Sequence, residues 1–254
     1  MKKRVIITIC GRAGSKGLEN KNLLDFCGRP LVYYTLSAAE LFTKARPDLE
    51  IDLVLNTDSP HLKELVLAKY PEAIALHRPP KLAGDDVAKL RVFQQSVREM
   101  EERHGKLYDY HLDLDITSPL RRLEDVQGCF EALEAREDLD LVMSAVESRR
   151  NPFMNVAVRR YDHVEPAVPS HFVARQQAPA CYDLNASIYA FRRDFLARNT
   201  SGMLWDGKCD VFEMLDTAVL DIDSREDFEL MELIAWHIYE SRPQYAAVRD
   251  NIRQ

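Results

Sequence analysis

The first 146 residues alternate short apolar runs with segments of helical periodicity, and this alternation is the strongest constraint on the fold. The β-branched run at 5–10 stops at a glycine, as a strand buried on both faces does. At 90–100, apolar residues recur every three or four positions, which is typical of an amphipathic helix. The alternation predicts an α/β fold, a three-layer sandwich in which helices cover both faces of a mainly parallel sheet.

The same patterns give approximate positions for the elements. We predict a first helix opened by Pro30, further helices around 62–69, 90–100, 126–133 and 228–238, and strands at 5–10, 51–57, 73–77, 110–115, 139–146, 186–191 and 218–222. Between 150 and 184 there is no helical period and prolines are frequent, so we expect an extended arm or a small antiparallel subdomain. Residues 1–254 are predicted to form a single domain with this one excursion.

Composition excludes several classes of protein. With 34 basic and 41 acidic side chains, the net charge of −7 argues against a nucleic-acid binder that depends on bulk positive charge. The five cysteines form no CxxC motif, which favours reduced thiols in the cytosol. No apolar stretch is long enough to span a bilayer. We therefore expect a cytoplasmic protein that partners neither nucleic acid nor membrane.

A glycine-rich basic loop follows the first predicted strand. It reads Gly11-Arg12-Ala13-Gly14-Ser15-Lys16-Gly17 and is followed by Lys21-Asn22. Ligands of open parallel sheets bind beyond the carboxyl ends of the strands, where glycines let backbone N–H groups face phosphate oxygens. The alternative is a flexible loop with solvated basic residues, but three cations within ten residues of an acidic protein favour phosphate binding. The spacing fits neither a Walker A loop nor the dinucleotide fingerprint, so NAD is not expected.

An acidic pair lies near the carboxyl terminus, at Asp221-Ile222-Asp223. Strand residues two apart point to the same face, so both carboxylates could meet one magnesium ion, which prefers one or two carboxylates plus phosphate oxygens. The alternative is an N-terminal cap of the last helix, formed by Asp223 or Ser224. Both interpretations can hold if Asp221 faces the site.

A second acidic pair, Asp113 and Asp115, alternates on the strand predicted at 110–115 and therefore shares one face. This strand should end at the edge of the sheet that opens onto the ligand crevice. Asp115 there could be a second metal ligand, could orient a sugar, or could simply be solvated.

The glycine-rich loop resembles the amino-terminal signature of the acylneuraminate cytidylyltransferases, which has the form Arg-x-Gly-Ser-Lys-Gly-x-x-x-Lys-Asn. The matching positions are Arg12, Gly14, Ser15, Lys16, Gly17, Lys21 and Asn22. Similar blocks follow in order along nearly the whole chain, at Arg78-Pro79, Thr117 to Arg121, Asn151-Pro152-Phe153, Arg175-Gln176, Asn185, and Asp221 to Asp223.

The resemblance implies a nucleotide-diphospho-sugar transferase-like fold and transfer of CMP from CTP to a sugar, a nonulosonic acid, with release of pyrophosphate. It implies Arg12 and Lys21 as catalytic residues, and magnesium held by Asp221 and Asp223. Nucleotide-binding residues would be Gly14, Ser15, Lys16, Asn22 and Arg78. Sugar-binding residues would be Asp115, Arg175, Gln176 and Asn185. The family's arm reaches into a partner subunit, which implies a homodimer with a dimerisation arm at 150–184.

The chain departs from the family pattern where the sugar is expected. Met154 replaces a lysine, Asp183 often an arginine, Asp115 a glutamine, and Lys89 a serine or threonine. The first three changes make this region less positive, so we expect N-acetylneuraminate to be a poor substrate and an altered or amino-bearing sugar to be preferred. Two alternatives stay open: a nucleotidyltransferase of this fold acting on another sugar or sugar phosphate, and a non-catalytic nucleotide-binding protein.

Overall fold

The computed structural model describes residues 2–14, 17–217 and 221–254. Its strands, in chain order, are β1 (Arg4–Gly11), β2 (Asp25–Phe26), β3 (Arg29–Pro30), β4 (Glu50–Thr57), β5 (Ile74–His77), β6 (Tyr110–Leu114), β7 (Leu141–Glu147), β8 (Ala157–Arg160), β9 (His163–Pro166), β10 (Tyr182–Arg192) and β11 (Cys209–Glu213). Its α-helices are α1 (Leu31–Ala45), α2 (Pro60–Lys69), α3 (Lys89–His104), α4 (Leu123–Glu134), α5 (Arg193–Arg198), α6 (Arg225–Ser241) and α7 (Pro243–Asp250).

A seven-stranded sheet forms the centre, with the strand order β11-β7-β10-β6-β1-β4-β5. β1 pairs in parallel with β4 and β6, β4 with β5, and β7 with β11. β10 runs antiparallel to both of its neighbours, β6 and β7. The predicted mainly parallel sheet is therefore confirmed, and the carboxyl ends of its parallel strands meet at one edge.

The two faces of the sheet are covered by different helices. Along β1, Val5 and Ile7 are fully buried in a cluster with residues of α1 and α4, whereas Ile6 is buried in a cluster with residues of α3 and α5. This alternation is what a strand buried on both faces requires. The predicted inner stripes of α1 and α3 are buried as well. The three-layer α/β fold is confirmed.

The last long helix, α6, begins at a capping box. The Ser224 hydroxyl accepts the N–H of Asp227 (3.1 Å), and the Asp227 carboxylate accepts the N–H of Ser224 (2.8 Å). Of the two predicted caps, Ser224 is the one that forms, so the Asp223 side chain is left for another contact. In the residues that the structure describes, no helix is both long enough and apolar enough to cross a membrane.

Several elements were missed or placed differently by the sequence patterns. β11, α5 and α7 were not predicted, and β10 extends well beyond the predicted 186–191. β11 and α5 are short, and β11 lies at the edge of the sheet with its side chains exposed or half-buried, so its sequence lacks a buried-strand pattern. Of the predicted strand at 218–222, residues 218–220 lie outside the described residues, and 221–222 are not in a strand.

The region between 150 and 184 contains an antiparallel hairpin. β8 and β9 pair from Ala157–Pro166 to Arg160–His163, and Tyr161 at the turn has a φ of 51°. Phe153 packs edge-on against Phe172, with ring centroids 5.9 Å apart. None of the hydrophobic side chains from 150 to 184 is fully buried, so this region, called the hairpin unit below, is a small antiparallel unit without a core of its own.

Candidate active site

A cleft opens at the carboxyl edge of the sheet. Segments that follow β1, β5 and β6 line it, together with the start of α3 and the residue that follows the gap at 218–220. The cleft brings together six of the predicted site residues: Arg12, Lys21, Asn22, Arg78, Asp115 and Asp221. Two further predicted residues, Ser15 and Lys16, lie outside the described residues. Residues from four separate parts of the chain therefore meet where the fold places its ligand crevice.

Two glycines shape the loop after β1 in different ways. Gly14 has a φ of 70° and faces open space, so its backbone conformation is what favours glycine. At Gly17, a Cβ would lie only 2.2 Å from the carbonyl oxygen of Asp223. The loop is further held by Asn22, whose Nδ2 donates to the carbonyl oxygen of Arg12 at 3.3 Å. Because Gly17 has no side chain, the glycine-rich loop can lie directly against the backbone of Asp223.

The two predicted catalytic cations face carboxylates across the cleft. Nη1 of Arg12 lies 2.6 Å from Oδ1 of Asp85. Nζ of Lys21 lies 3.0 Å from Oδ1 of Asp223 and donates to the carbonyl oxygen of Ile222 at 2.9 Å. Each cation therefore has a local counter-ion that the oxygens of a bound phosphate could replace.

Arg78 is anchored from below by a buried polar network. Its Nε donates to Oδ1 of Asn56 (2.9 Å), and its Nη2 donates to the carbonyl oxygen of the same residue (3.0 Å). Nδ2 of Asn56 donates in turn to Gln95 (2.7 Å) and Ser96 (2.8 Å) on α3. These three supporting residues were not predicted, because a single polar residue in a strand or helix does not reveal its tertiary partner.

Asp115 and Asp221 are the two predicted carboxylates that line the cleft, together with Asp85. Oδ1 of Asp115 accepts from the backbone and the hydroxyl of Thr117 (3.1 and 2.8 Å), and its Oδ2 contacts Nζ of Lys89. Burial opposes ionisation of Asp115, but Lys89 and Thr117 outweigh it and hold its pKa well below the usual range. Burial and the neighbouring charge of Asp115 raise the pKa of Asp221. The two carboxylates are thus close enough to repel each other.

Asp223, the other predicted metal ligand, is placed differently. Its side chain is 76% exposed and paired with Lys21, and it is not among the residues that line the cleft. Within the described ranges, no group of three or more His, Cys, Asp or Glu side chains is arranged to hold a metal ion. A magnesium ion that takes one or two carboxylates and phosphate oxygens needs no such group. Asp115 and Asp221 are the pair that faces the cleft.

Three predicted sugar-binding residues do not line the cleft. Arg175 is exposed on the hairpin unit, with Nη2 3.7 Å from Oε1 of Glu147, and Gln176 beside it is also exposed. Asn185 is buried instead, and its Oδ1 accepts from the Ser144 hydroxyl at 2.6 Å and from the Ser187 N–H at 3.2 Å. Asn185 therefore pins the irregular stretch of β10.

That irregular stretch connects directly to the cleft. The β10 register shifts between Leu184 and Tyr189, and Ala186 has a φ of 52°. The carbonyl oxygen of Ser187 accepts the N–H of Asp115 at 3.1 Å. β-Bulges commonly redirect side chains beside active sites. Asn185 thus acts on the backbone that supports Asp115, and this role could not be read from its residue type.

Arg121 supports the same loop from the protein interior. It is 1% exposed, its Nε donates to the carbonyl oxygen of Ser118 at 3.0 Å, and its Nη2 contacts the carbonyl oxygen of Asp115. Burial lowers its pKa to about 10, despite the nearby carboxylates. A charged side chain is thus buried to hold the segment from 115 to 121 in place.

Lys89 is a charged residue of the cleft that was not predicted as a site residue. It begins α3, and its Nζ lies 2.8 Å from Oδ2 of the fully buried Asp113 and contacts Asp115. Burial lowers the pKa of Lys89, but the two carboxylates outweigh this and raise it well above the usual value. The sequence contains one indication of this ion pair, because Lys89 and Asp115 both depart from the family pattern and their charges are opposite.

A family model described as cytidylyltransferase matches residues 6–247. That span contains every residue of the cleft. The chain belongs to the cytidylyltransferase family. Post-translational flagellin modification protein B of Campylobacter coli is 33% identical to this cytidylyltransferase over 230 residues, which cover 91% of this chain and 94% of the relative. The CMP-N,N'-diacetyllegionaminic acid synthase of Campylobacter jejuni matches with the same identity and coverage.

A solved structure shares the fold of this cytidylyltransferase. It is CMP:2-keto-3-deoxy-manno-octonic acid synthetase complexed with CTP, with a TM-score of 0.64, 17% identity, and coverage of 94% of this chain and all of the other. At that identity the match concerns the fold alone. The expected acylneuraminate-type family, its nucleotidyltransferase fold and its enzyme class are confirmed. The roles of individual residues stay predictions.

Proposed function

We propose that this cytidylyltransferase transfers CMP from CTP to a nonulosonic acid and releases pyrophosphate. The observation that carries the proposal is the meeting of the predicted cations Arg12, Lys21 and Arg78 with the predicted carboxylates Asp115 and Asp221 in one cleft, which Lys89 and Asp85 also line. The cations suit a triphosphate. The name of the Campylobacter jejuni relative, a CMP-N,N'-diacetyllegionaminic acid synthase, supports the sugar class.

In the proposed reaction, the anomeric hydroxyl oxygen of the sugar bonds to the α-phosphorus of CTP and gives up its proton to water. The bond between the α-phosphorus and the oxygen that bridges it to the β-phosphorus breaks, and pyrophosphate leaves with that oxygen. Negative charge grows on the departing pyrophosphate. Arg12 and Lys21 would exchange Asp85 and Asp223 for those oxygens, which stabilises this charge. Catalysis would then rest on positioning and electrostatics, as in other phosphoryl-type transfers.

We further propose that magnesium takes part, with Asp221 and Asp115 as the protein ligands. These residues fit a divalent cation because two half-buried carboxylates face one cleft and the charge of one raises the pKa of the other. Asp223, predicted as the second ligand, would instead position Lys21. When bound, the ion would neutralise charge on the phosphates.

A homodimer and a cytosolic location are proposed as well. The hairpin unit exposes apolar side chains, with Tyr161 98% and Val173 86% exposed, which suits contact with a second copy of the chain. All five cysteines are unpaired, as expected in the reducing cytosol. Sedimentation velocity would test the dimer, and a single species at monomer mass would contradict it.

A substrate panel tests the function. Pyrophosphate release would be measured with each of CTP, UTP, ATP and GTP against N,N'-diacetyllegionaminate, N-acetylneuraminate, a free amino sugar and a sugar phosphate. We expect CTP and N,N'-diacetyllegionaminate to give the highest kcat/KM. N-acetylneuraminate should give a lower value, because the chain is 33% identical to a CMP-N,N'-diacetyllegionaminic acid synthase and 26% identical to an N-acylneuraminate cytidylyltransferase. Preference for another nucleotide or for a sugar phosphate would favour the alternative transferase. Nucleotide binding without turnover would favour a non-catalytic protein.

A further inference from the structure

A cluster of charges lies beneath the cleft and converges on Lys89. Its Nζ lies 2.8 Å from Oδ2 of Asp113, in an ion pair without hydrogen-bond geometry, and it donates to Oδ2 of Asp115. Asp113 is fully buried, and its Oδ1 accepts from the Thr8 hydroxyl at 2.6 Å. The Thr8 hydroxyl also lies 2.8 Å from Nε2 of the buried His111. The position of the Lys89 ammonium is therefore fixed from below by a network that extends into β1 and β6.

The same ammonium is accessible from the cleft. The Lys89 side chain is 35% exposed and lines the cleft, and its Nζ lies over the rings of Phe93 and Tyr189, 5.5 and 5.4 Å from their centroids. An ammonium has three N–H donors. Contacts with two carboxylates leave at least one donor for a ligand in the cleft.

The strand order places Lys89 on one particular side of the cleft. Arg78 follows β5 and Arg12 follows β1, whereas Asp115 follows β6 and Tyr189 lies on β10. Along the sheet these strands are ordered β10, β6, β1, β4, β5. A nucleotide held by Arg78 and the glycine-rich loop would cover β5 to β1. The acceptor sugar would then lie over β6 and β10, where Lys89 contacts Asp115 and Tyr189.

We propose that Lys89 is an acceptor-binding residue that selects a carboxylate-bearing sugar by donating a charge-assisted hydrogen bond to that carboxylate. The inference rests on the proposed function and deepens it. It also removes the reason for expecting an amino-bearing sugar, because Asp115 already has a cationic partner in Lys89. Lys89, at the start of α3, thereby supplies a positive charge in place of the family's lysine, which is Met154 in this chain.

The decisive experiment pairs a protein change with a substrate change. The kcat/KM of wild-type and Lys89→Met protein would be measured with CTP and N,N'-diacetyllegionaminate, and with the same sugar as its carboxamide. We expect Lys89→Met to raise the KM for the acid by about tenfold or more, while the KM for CTP stays within about twofold. The wild type should discriminate strongly between acid and amide, and Lys89→Met should not.

A second variant separates binding from simple structural support. Lys89→Met leaves the buried Asp113 without its counter-ion, so its Tm should fall. Lys89→Met/Asp113→Asn should recover the Tm while the KM for the acid stays high. If the acid KM recovers together with the Tm, or if acid–amide discrimination survives in Lys89→Met, the proposal is overturned. A wild type that turns over no CTP with any sugar would overturn the proposed function as well.

Discussion

The cleft and the hairpin unit are built from backbone of different kinds. On the nucleotide side, the cations follow β1 and β5, and β1 has Val5, Ile6 and Ile7 fully buried between two helical layers. By contrast, the hairpin unit between 150 and 184 contributes none of the residues that line the cleft and is mostly exposed, with Tyr161 98% and Val173 86% accessible. Packing on both faces fixes a strand end, and therefore the loop that leaves it. The comparison shows that backbone packed on both faces, such as β1, can hold charged groups in place without a ligand, whereas the exposed hairpin unit lacks this support.

The largest effect is expected on the nucleotide side, at Lys21. Lys21→Ala should lower kcat by ~10²–10³ because a charge contact to the leaving pyrophosphate is lost. The Tm should change little, since the hydrogen bonds of its ammonium group within the described part of the chain go to Ile222 and Asp223 alone. The measurement is pyrophosphate release with circular dichroism as the check on folding. Lys63→Ala, an exposed lysine on α2, is the matched control. Turnover near the wild-type value would remove Lys21 from the site.

The acidic segment offers a matched pair within three residues. Asp221→Asn should raise the magnesium concentration for half-maximal rate by about tenfold or more, because a carboxylate facing the cleft is lost. Asp223→Asn should change it less, because Asp223 is exposed and contacts Lys21. Ser224→Ala should leave magnesium dependence alone and lower stability by ~1 kcal/mol through loss of the helix cap. Equal magnesium dependence in both Asp variants would contradict this division of roles.

Two glycines of the glycine-rich loop allow two causes of a lower kcat/KM for CTP to be compared. Gly17→Ala should lower kcat/KM for CTP by about tenfold, because the added Cβ meets the Asp223 carbonyl and the loop must shift by a distance that matters for positioning. At Gly14 an added Cβ would meet no other atom, so Gly14→Ala adds only the strain of a positive φ, about 1–2 kcal/mol. It should therefore lower kcat/KM for CTP less than Gly17→Ala does. Steady-state kinetics of both variants would check this. If Gly14→Ala lowered kcat/KM more than Gly17→Ala, the close approach of residue 17 to the Asp223 carbonyl would not be what requires glycine there.

The smallest effect is expected on the hairpin unit. Arg175→Ala should change the free energy of unfolding by no more than about 0.5 kcal/mol, because the side chain is exposed and its ion pair with Glu147 is long. Urea denaturation measures this directly. A loss of stability of several kcal/mol would mean that the hairpin unit is as tightly packed as the sheet.

The sequence predicted the parallel sheet from periodicity. It predicted the residues at the carboxyl edge from the glycine-rich loop, from the alternating acidic pairs and, for Arg78, from the resemblance to the acylneuraminate cytidylyltransferases. A buried strand must be apolar on both faces, and a phosphate loop must follow it directly. Arg12, Lys21, Arg78, Asp115 and Asp221 therefore meet in the cleft as the order of motifs suggested.

Other features depend on tertiary partners that periodicity does not show. Asn185 matches a family block, yet its side chain bonds to Ser144 and Ser187 in the bulge of β10. Lys89 and Asp115 were treated as separate departures from the family, although their side chains are in contact. If the contact between Lys89 and Asp115 is not known, Asp115 counts as a free negative charge near the acceptor, and this favours an amino-bearing sugar.

The most direct test of the central claim is the identity of the product. The protein would be incubated with CTP, magnesium and N,N'-diacetyllegionaminate, and the mixture analysed by mass spectrometry and phosphorus NMR. The account predicts one new species with the mass of the sugar plus CMP minus water, and an equal amount of pyrophosphate. CMP and pyrophosphate beside unmodified sugar, or unreacted CTP with every acceptor of the panel, would contradict it.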